Sequence, residues 1–290
     1  MPYLFQDIAE STGKQVYVDT VVHGGKNLEF HSKREKTYEK IHEKKWNYVV
    51  IQGHSDEFAQ PEGTIDKNTY PYIDQIIDSI HANHPCTHIV FYMTWGYKFG
   101  NPNWAPISTY DGMQETIEKE YLRCANHFAG SISPVGAAWD EVREQNPNIN
   151  LYFTDNHHPS LEGSYLSACT FYTSIFGQSP VNNAAKIAID PLQKKAIETA
   201  VTSTVLNNLM KWRWTPTLEA GFDFKLHNKD LQLVNNSKNA TKVEWDFGDG
   251  HTSTDSNPKH LYKKKGVYLI KQKVTNNCQT LVQERKVTIK

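Results

Sequence analysis

The sequence contains no apolar run of about 18 or more residues, so it predicts no membrane-spanning helix. Its N-terminus, MPYLFQDIAES, lacks a basic start, a long apolar core and a small-residue cleavage site, and therefore does not resemble a signal peptide. A dominant charge is missing too, because 31 Lys and Arg residues face 32 Asp and Glu residues. This balance argues against a surface dedicated to nucleic acid or to anionic membranes.

Cysteine is scarce, with four residues that are too few and too scattered for a disulfide framework or a zinc knuckle. Cys124 and Cys169 lie among apolar neighbours in helical patterns, and we predict that both are buried free thiols. The cysteine content does not indicate whether the protein resides in an oxidising or a reducing compartment.

The first two thirds of the chain alternate strand-like and helix-like patterns. Strands are predicted at residues 14–22, 46–53 and 87–96, with a further strand or loop at 131–139. Helices are predicted at 70–85, at 111–130 with Asp111 as N-cap, at 160–176, and from Asp190 to about residue 212. This alternation predicts an α/β sandwich around a mostly parallel sheet, with ligands beyond the carboxyl ends of the strands.

From about residue 222 the helical patterns stop and short alternating strands follow, separated by Asn, Gly, Asp and Pro. Such spacing predicts a small all-β sandwich, with the domain boundary at residues 215–221. Trp245 and Phe247 are predicted to face inward, and Tyr262 and Tyr268 to be core aromatics. We expect Asp246, Asp249 and Asp255 to cap backbone amides rather than bind calcium.

Four motifs in this part, WDFGDG (245–250), NP (257–258), HLY (260–262) and GVY (266–268), closely resemble the PKD (polycystic kidney disease) domain. The resemblance covers residues 219–290 and implies an immunoglobulin-like sandwich. Such modules are extracellular spacers or weak binders of carbohydrate or protein. The resemblance therefore implies an extracellular or cell-surface location.

The stretch TDNHHPS, residues 154–160, places an acid and a histidine three positions apart before a predicted helix. Asp155 can hold the imidazole of His158 in the tautomer that acts as a general base. The alternative is a polar turn whose aspartate caps the helix. A zinc site using His157 and His158 is disfavoured, because side chains of adjacent loop residues diverge. The order of the neighbouring motifs favours the catalytic interpretation.

These residues, followed by Gly163 and Tyr165, resemble the last sequence block of the SGNH (GDSL-like) hydrolases, which are esterases with a Ser-His-Asp triad. VVHGGKNLEFH (21–31) resembles the second block, in which a glycine amide, here Gly25, contributes to the oxyanion hole. YVVIQGHSDEF (48–58) resembles the third block, but Ser55 stands where an asparagine donor is usual. Gln52 and His54 are the alternative donors.

The resemblance implies that residues 1–214 form a flavodoxin-like three-layer sandwich whose first strand is central. The block that carries the nucleophile, Gly-Asp-Ser or Gly-Asn-Ser, occurs nowhere, and the chain opens with a predicted helix. We therefore expect a signal peptide, the first strand and the serine upstream of Met1, and we expect the given chain to be inactive. Ser55 is a candidate substitute nucleophile, whereas Ser160 is predicted to cap the next helix.

Three aromatic residues at or after the end of the strand at 87–96 are candidates for contact with a sugar substrate: Trp95, Tyr97 and Trp104. For Trp95, a place in the core is an equal alternative. By resemblance, the substrate is an acyl ester such as an O-acetyl group on a polysaccharide, and no cofactor or metal is required. The alternative function is a non-catalytic extracellular protein that binds carbohydrate or protein through its PKD-like domain.

Overall fold

The computed structural model describes residues 1–214 and 218–290. The chain divides into two compact units, Met1–Trp214 and Thr215–Lys290, and each is described by itself. The boundary predicted at residues 215–221 falls partly on residues 215–217, which lie outside the described residues.

The N-terminal unit is built on a parallel sheet with the strand order β1-β2-β3. In register, Tyr48 lies opposite His88 and Val90 opposite Ser131. The apolar runs of the sequence supply these strands because both faces of a parallel sheet are covered. The strands are β1 (Tyr48–Ile51), β2 (His88–Tyr92) and β3 (Ser131–Ser133). The sheet confirms the predicted α/β class.

Helices surround this sheet, and both α7 and α9 pack against β3. They are α1 (Pro2–Ser11), α2 (Leu28–Ser32), α3 (Glu35–Glu43), α4 (Ser55–Phe58), α5 (Glu62–Asn68), α6 (Tyr70–Asn83), α7 (Tyr110–His127), α8 (Val135–Gln145), α9 (Leu161–Phe176) and α10 (Pro191–Thr204). Two cysteine thiols, those of Cys124 and Cys169, are buried and free, as predicted. Within residues 1–214 and 218–290, no helix is long and apolar enough to span a membrane.

Helix ends follow capping chemistry, with two differences from the prediction. Asp190 accepts hydrogen bonds from the amides of the first turn of α10, as expected of its N-cap. The N-cap of α7 is Thr109, not Asp111, because the Thr109 hydroxyl accepts the Gly112 amide at 3.2 Å. Helix α10 stops at Thr204 instead of continuing to residue 212, since the Asn208 side chain donates to the carbonyl of Thr204 at 3.2 Å.

The strand predicted at residues 14–22 does not form, which corrects the sequence-based prediction. These residues have no regular secondary structure, and the side chains of Tyr17 and Val22 are exposed. A strand needs a neighbour for its hydrogen-bond ladder. Within the part of the chain that the structure describes, no strand lies between this segment and β1, whose only partner is β2.

The C-terminal unit consists of two antiparallel sheets, β10-β9-β6-β7 and β4-β5-β8. Trp245, Phe247 and Tyr262 are buried between them, and Tyr268 packs against the same core, which confirms the predicted inward positions. Asp246 and Asp249 accept the amides of Gly248 and His251, as predicted for caps. The strands are β4 (Phe222–His227), β5 (Asp230–Asn235), β6 (Lys242–Asp246), β7 (Thr252–Ser253), β8 (Lys259–Leu261), β9 (Gly266–Thr275) and β10 (Thr280–Ile289).

Candidate functional site

The acid and the histidine of the sequence motif lie together on the loop between α8 and α9. His158 Nδ1 is 2.6 Å from Asp155 Oδ2. Since an ionised carboxylate can only accept, the contact keeps the proton on Nδ1 and leaves Nε2 as an acceptor. The His158 side chain is 77% exposed, so Nε2 is accessible to a reacting group. This arrangement has the geometry of the acid–base half of a catalytic triad.

Asp155 is held in place by the backbone of its own loop. Its Oδ1 accepts the amides of His157 and His158, each at 2.9 Å. These amide bonds and the His158 imidazole hold the pKa of the Asp155 carboxyl well below its usual range. The acid is therefore ionised at neutral pH, as an orienting group must be.

The loop is closed at both ends by backbone hydrogen bonds. The Phe153 amide donates to the His158 carbonyl at 2.8 Å, and the Ser160 amide donates to the Leu151 carbonyl at 2.9 Å. Ser160 is the N-cap of α9, as predicted, because its hydroxyl accepts the Gly163 amide at 3.1 Å. The same hydroxyl donates to the Asn150 carbonyl at 2.8 Å. Ser160 is thus engaged in capping and is unsuited to attack a substrate.

A second contact ties this loop to the segment after β2. The ring of His157 stacks on that of Tyr97, with centroids 3.9 Å apart. The Tyr97 hydroxyl donates to Asp56 Oδ2 at 2.6 Å, and Asn101 donates to Asp56 Oδ1 at 2.9 Å. Sequence reasoning missed Asp56, although its position a few residues beyond the carboxyl end of β1 was a usable signal. His157 therefore contacts Tyr97, whereas His158 pairs with Asp155.

Of the predicted oxyanion residues, Gly25 and Gln52 are exposed, whereas Ser55 is buried. Gly25 has a φ of 68°, a left-handed conformation that favours glycine. The Ser55 hydroxyl donates to the Trp95 carbonyl at 2.7 Å. It therefore cannot donate to an oxyanion or act as a nucleophile in this conformation. Among described residues, no hydrogen bond reaches His158 Nε2.

A buried carboxyl that sequence reasoning missed fixes the segment following Gly25. Glu57 on α4 accepts the Leu28 amide, at 3.1 Å to Oε1 and 3.3 Å to Oε2. Burial raises the pKa of Glu57 to about 7, although the hydrogen bond from the Leu28 amide acts to lower it. The interaction connects α4 to the predicted oxyanion segment.

The three predicted substrate-binding aromatics occupy different environments. Trp95 is in the core, the second of its two predicted places, with its ring stacked on Trp139 at 4.0 Å. Its indole nitrogen donates to the His157 carbonyl at 3.0 Å, so Trp95 connects the loop of His158 to the core. Tyr97 and Trp104 are half-buried and present part of their rings to solvent.

Comparison with known proteins begins with the C-terminal unit. The family model for the PKD domain matches residues 213–290. Collagenase ColA of Bacillus cereus is 45% identical over 47 residues, which are 16% of this chain and 5% of the collagenase. The chain thus spans a small fraction of that relative's length.

The N-terminal unit is similar to solved structures. A DUF4886 family protein from Bacteroides uniformis has a TM-score of 0.62 at 19% identity, over 71% of this chain and 89% of that chain. A protein from Slackia heliotrinireducens assigned to the SGNH hydrolases has a TM-score of 0.46 at 22% identity, over 59% of this chain and 90% of that chain. Similarities at these identities show the fold alone. The family model confirms the predicted C-terminal PKD domain, and the N-terminal unit shares its fold with the Bacteroides uniformis protein.

Proposed function

We propose that the N-terminal unit is the scaffold of an SGNH-type ester hydrolase, with His158 as general base and Asp155 as the residue that orients it. The 2.6 Å contact between His158 Nδ1 and Asp155 Oδ2 carries the proposal. A purely structural polar turn does not require this contact, because the Asp155 carboxylate could cap the loop through Oδ1 alone. The second carboxylate oxygen is aimed at the ring, while Nε2 faces solvent.

The chemistry follows from these positions. Nε2 of His158 takes the proton of a serine hydroxyl while the serine oxygen attacks the ester carbonyl. The imidazolium then gives this proton to the leaving alcohol, and an acyl-enzyme forms. Water, deprotonated by the same imidazole, hydrolyses the acyl-enzyme and releases the acid. Asp155 stays ionised throughout and stabilises the imidazolium.

The developing oxyanion needs donors. The proposal assigns the Gly25 amide to this role, with Gln52 as the side-chain donor, because both are exposed and Ser55 is committed to the Trp95 carbonyl. One such donor typically contributes about 3–4 kcal/mol to the transition state.

The nucleophile is proposed to be a serine at the end of a further strand that pairs with β1, upstream of Met1. Two observations support this proposal: β1 has one described partner, and residues 14–22 are strand-like in sequence yet unpaired. A strand inserted there would give each segment a neighbour. The chain as given would then lack esterase activity.

The substrate class is proposed to be an O-acetyl ester on an extracellular polysaccharide. Tyr97 and Trp104 are half-buried, Tyr97 contacts His157 on the loop of His158, and aromatic side chains of this kind suit sugar rings. The PKD domain supports an extracellular setting.

The test starts from the codons upstream of Met1. An in-frame strand ending in Gly-Asp-Ser or Gly-Asn-Ser would allow the extended protein to be made and assayed with p-nitrophenyl acetate. We expect turnover in the extended protein, none in the given chain, and a loss of roughly 10³-fold or more in the extended His158→Ala variant. Equal turnover with and without His158 would remove this residue from the mechanism.

A second candidate is a non-catalytic binding protein. It is favoured by Ser55, which stands in the place of the usual asparagine donor and has its hydroxyl committed to the backbone. An in-frame stop codon directly upstream of Met1, together with retention of the protein on an acetylated polysaccharide column, would support this candidate over the esterase.

A further inference from the structure

Two imidazoles and a carboxylate converge at one end of the C-terminal unit. Asp249 and His251 lie in the turn between β6 and β7, whereas His260 lies on β8. One potential ligand atom from each lies within 4.8 Å of the others, and no other such group of three was found among the residues that the structure describes. Sequence reasoning weighed Asp249 only as a calcium ligand or a backbone cap, and it did not connect this residue with His251 and His260.

The three side chains contact one another and the core of the unit. Asp249 Oδ2 is 2.7 Å from His260 Nε2, and Asp249 Oδ1 is 3.2 Å from His251 Nδ1. The His260 ring stacks on Phe247, with centroids 4.2 Å apart, so it cannot easily rotate. The Asp249 carboxylate also accepts the backbone amide of His251, and this hydrogen bond fixes the turn.

Accessibility differs across the cluster in a way that suits an ion. The side chains of Asp249 and His260 are 15% and 11% exposed, whereas that of His251 is 60% exposed. A bound ion would thus have two shielded ligands, Asp249 and His260, and one exposed ligand, His251. Because Zn²⁺ sites are usually four-coordinate, a water molecule would be the fourth ligand.

The donor set selects the class of ion. Two imidazole nitrogens and one carboxylate oxygen suit Zn²⁺ and similar divalent transition metals. Ca²⁺ and Mg²⁺ prefer oxygen ligands and are disfavoured. Each imidazole carries its proton on the nitrogen that faces Asp249 when no metal is bound. Binding requires only that this proton move to the other ring nitrogen, so neutral histidines lose no proton overall.

We propose that Asp249, His251 and His260 bind a divalent transition metal ion of the Zn²⁺ type. The turn between β6 and β7 belongs to one sheet and β8 to the other, so the ion links the two sheets. A domain of this size has a small core, and a metal is a common additional source of stability in such domains. The metal site is structural and independent of the esterase proposal.

The test uses the full chain, stripped with EDTA, and Zn²⁺ alone as the probe. Competition with a chromophoric chelator gives the number and affinity of bound ions. The main variant is His251→Ala, because its exposed side chain contributes little to folding. The matched control is His227→Ala, which removes another exposed histidine of the same unit outside the cluster. Asp249→Asn is a second variant that keeps a side-chain oxygen.

We expect the wild type and His227→Ala to bind one more Zn²⁺ than His251→Ala and Asp249→Asn, or to bind it at least about tenfold more tightly. At free Zn²⁺ about 100 times Kd, the unfolding equilibrium of this unit should shift about 100-fold, which raises its Tm by about 10–20 °C in the wild type and in His227→Ala but not in the two cluster variants. Equal binding and equal Tm shifts in wild type and His251→Ala would overturn the proposal and leave the cluster as a hydrogen-bonded group only.

Discussion

The imidazole of His157 lies against the ring of Tyr97, with centroids 3.9 Å apart and planes 25° from parallel. The residue beside the proposed general base is therefore in contact with a different segment of the chain. Through Tyr97 the contact continues to Asp56, just beyond β1. Two strand-end segments thus support the loop of His158, and its position depends on more than its own backbone.

Tyr97→Ala should loosen this loop more than Tyr97→Phe does. The alanine removes both the stacked ring and the hydroxyl, whereas the phenylalanine removes only the hydrogen bond to Asp56. We expect amide hydrogen exchange over residues 153–160 to accelerate about tenfold in Tyr97→Ala and less in Tyr97→Phe. Phe99→Ala, at an exposed position of the same segment, is the control and should leave exchange unchanged.

Asp155→Asn should change the tautomer of His158. An asparagine can turn its NH₂ group toward Nδ1, so the ring proton moves to Nε2 and the base is lost. Nitrogen-15 NMR of the ring should report Nδ1–H in the wild type and a substantial Nε2–H population in the variant. In an extended protein that carries the serine, kcat should fall by about 10⁴-fold. An unchanged tautomer would contradict the role assigned to Asp155.

Glu57→Gln should flatten the pH dependence of stability of the N-terminal unit. The folded pKa is raised to about 7 from an ordinary value of 4.5, so between these pH values the folded state binds more protons than the unfolded state. Stability from this group is present at low pH and is lost as pH rises, by about 3 kcal/mol in total.

The measurement is urea unfolding followed by tryptophan emission at pH values from about 4.5 to 7, the limits set by the two pKa values of Glu57. Glu57→Gln keeps an oxygen for the Leu28 amide and cannot ionise, so its stability above pH 7 should exceed that of the wild type. Glu39→Gln, at an exposed position, is the control. If the free energy of unfolding of the wild type does not fall over this pH range, ionisation of Glu57 does not destabilise the folded state.

Gly163→Ala should destabilise the N-terminal unit by about 1–3 kcal/mol. A Cβ at this position would lie 2.3 Å from the Leu151 carbonyl oxygen and 2.5 Å from the Trp139 ring, and both are fixed in the core. Gly63→Ala is the matched control, because α5 leaves its Cβ in open space. The control should be neutral or stabilising by up to about 1 kcal/mol. Thermal unfolding of the two variants compares the effects directly.

Much of the fold was predictable because local chemistry determined it. The apolar run that became β2, the cap and proline that start α10, and the WDFGDG turn each carry their signal within a few residues. The contact between Asp155 and His158 was predictable for the same reason, since three positions on one loop keep the side chains close.

The features that the sequence did not predict depend on contacts between residues that are distant in the chain. Residues 14–22 have the composition of a strand, but a strand exists only with a partner, and sequence pattern does not report partners. The roles of Asp56 and Glu57 depend on residues about 29 to 45 positions away in the chain. The Asp249, His251 and His260 cluster forms only when β8 folds beside the preceding turn.

The unpartnered flank of β1 has a practical consequence for handling the protein. A strand that offers free backbone donors and acceptors along one side is a template for another chain, and native proteins normally protect such edges. Within the described residues, β1 has no such cover from a strand on the side away from β2. We therefore expect this flank of β1 to be where a second copy of the chain pairs in concentrated solutions.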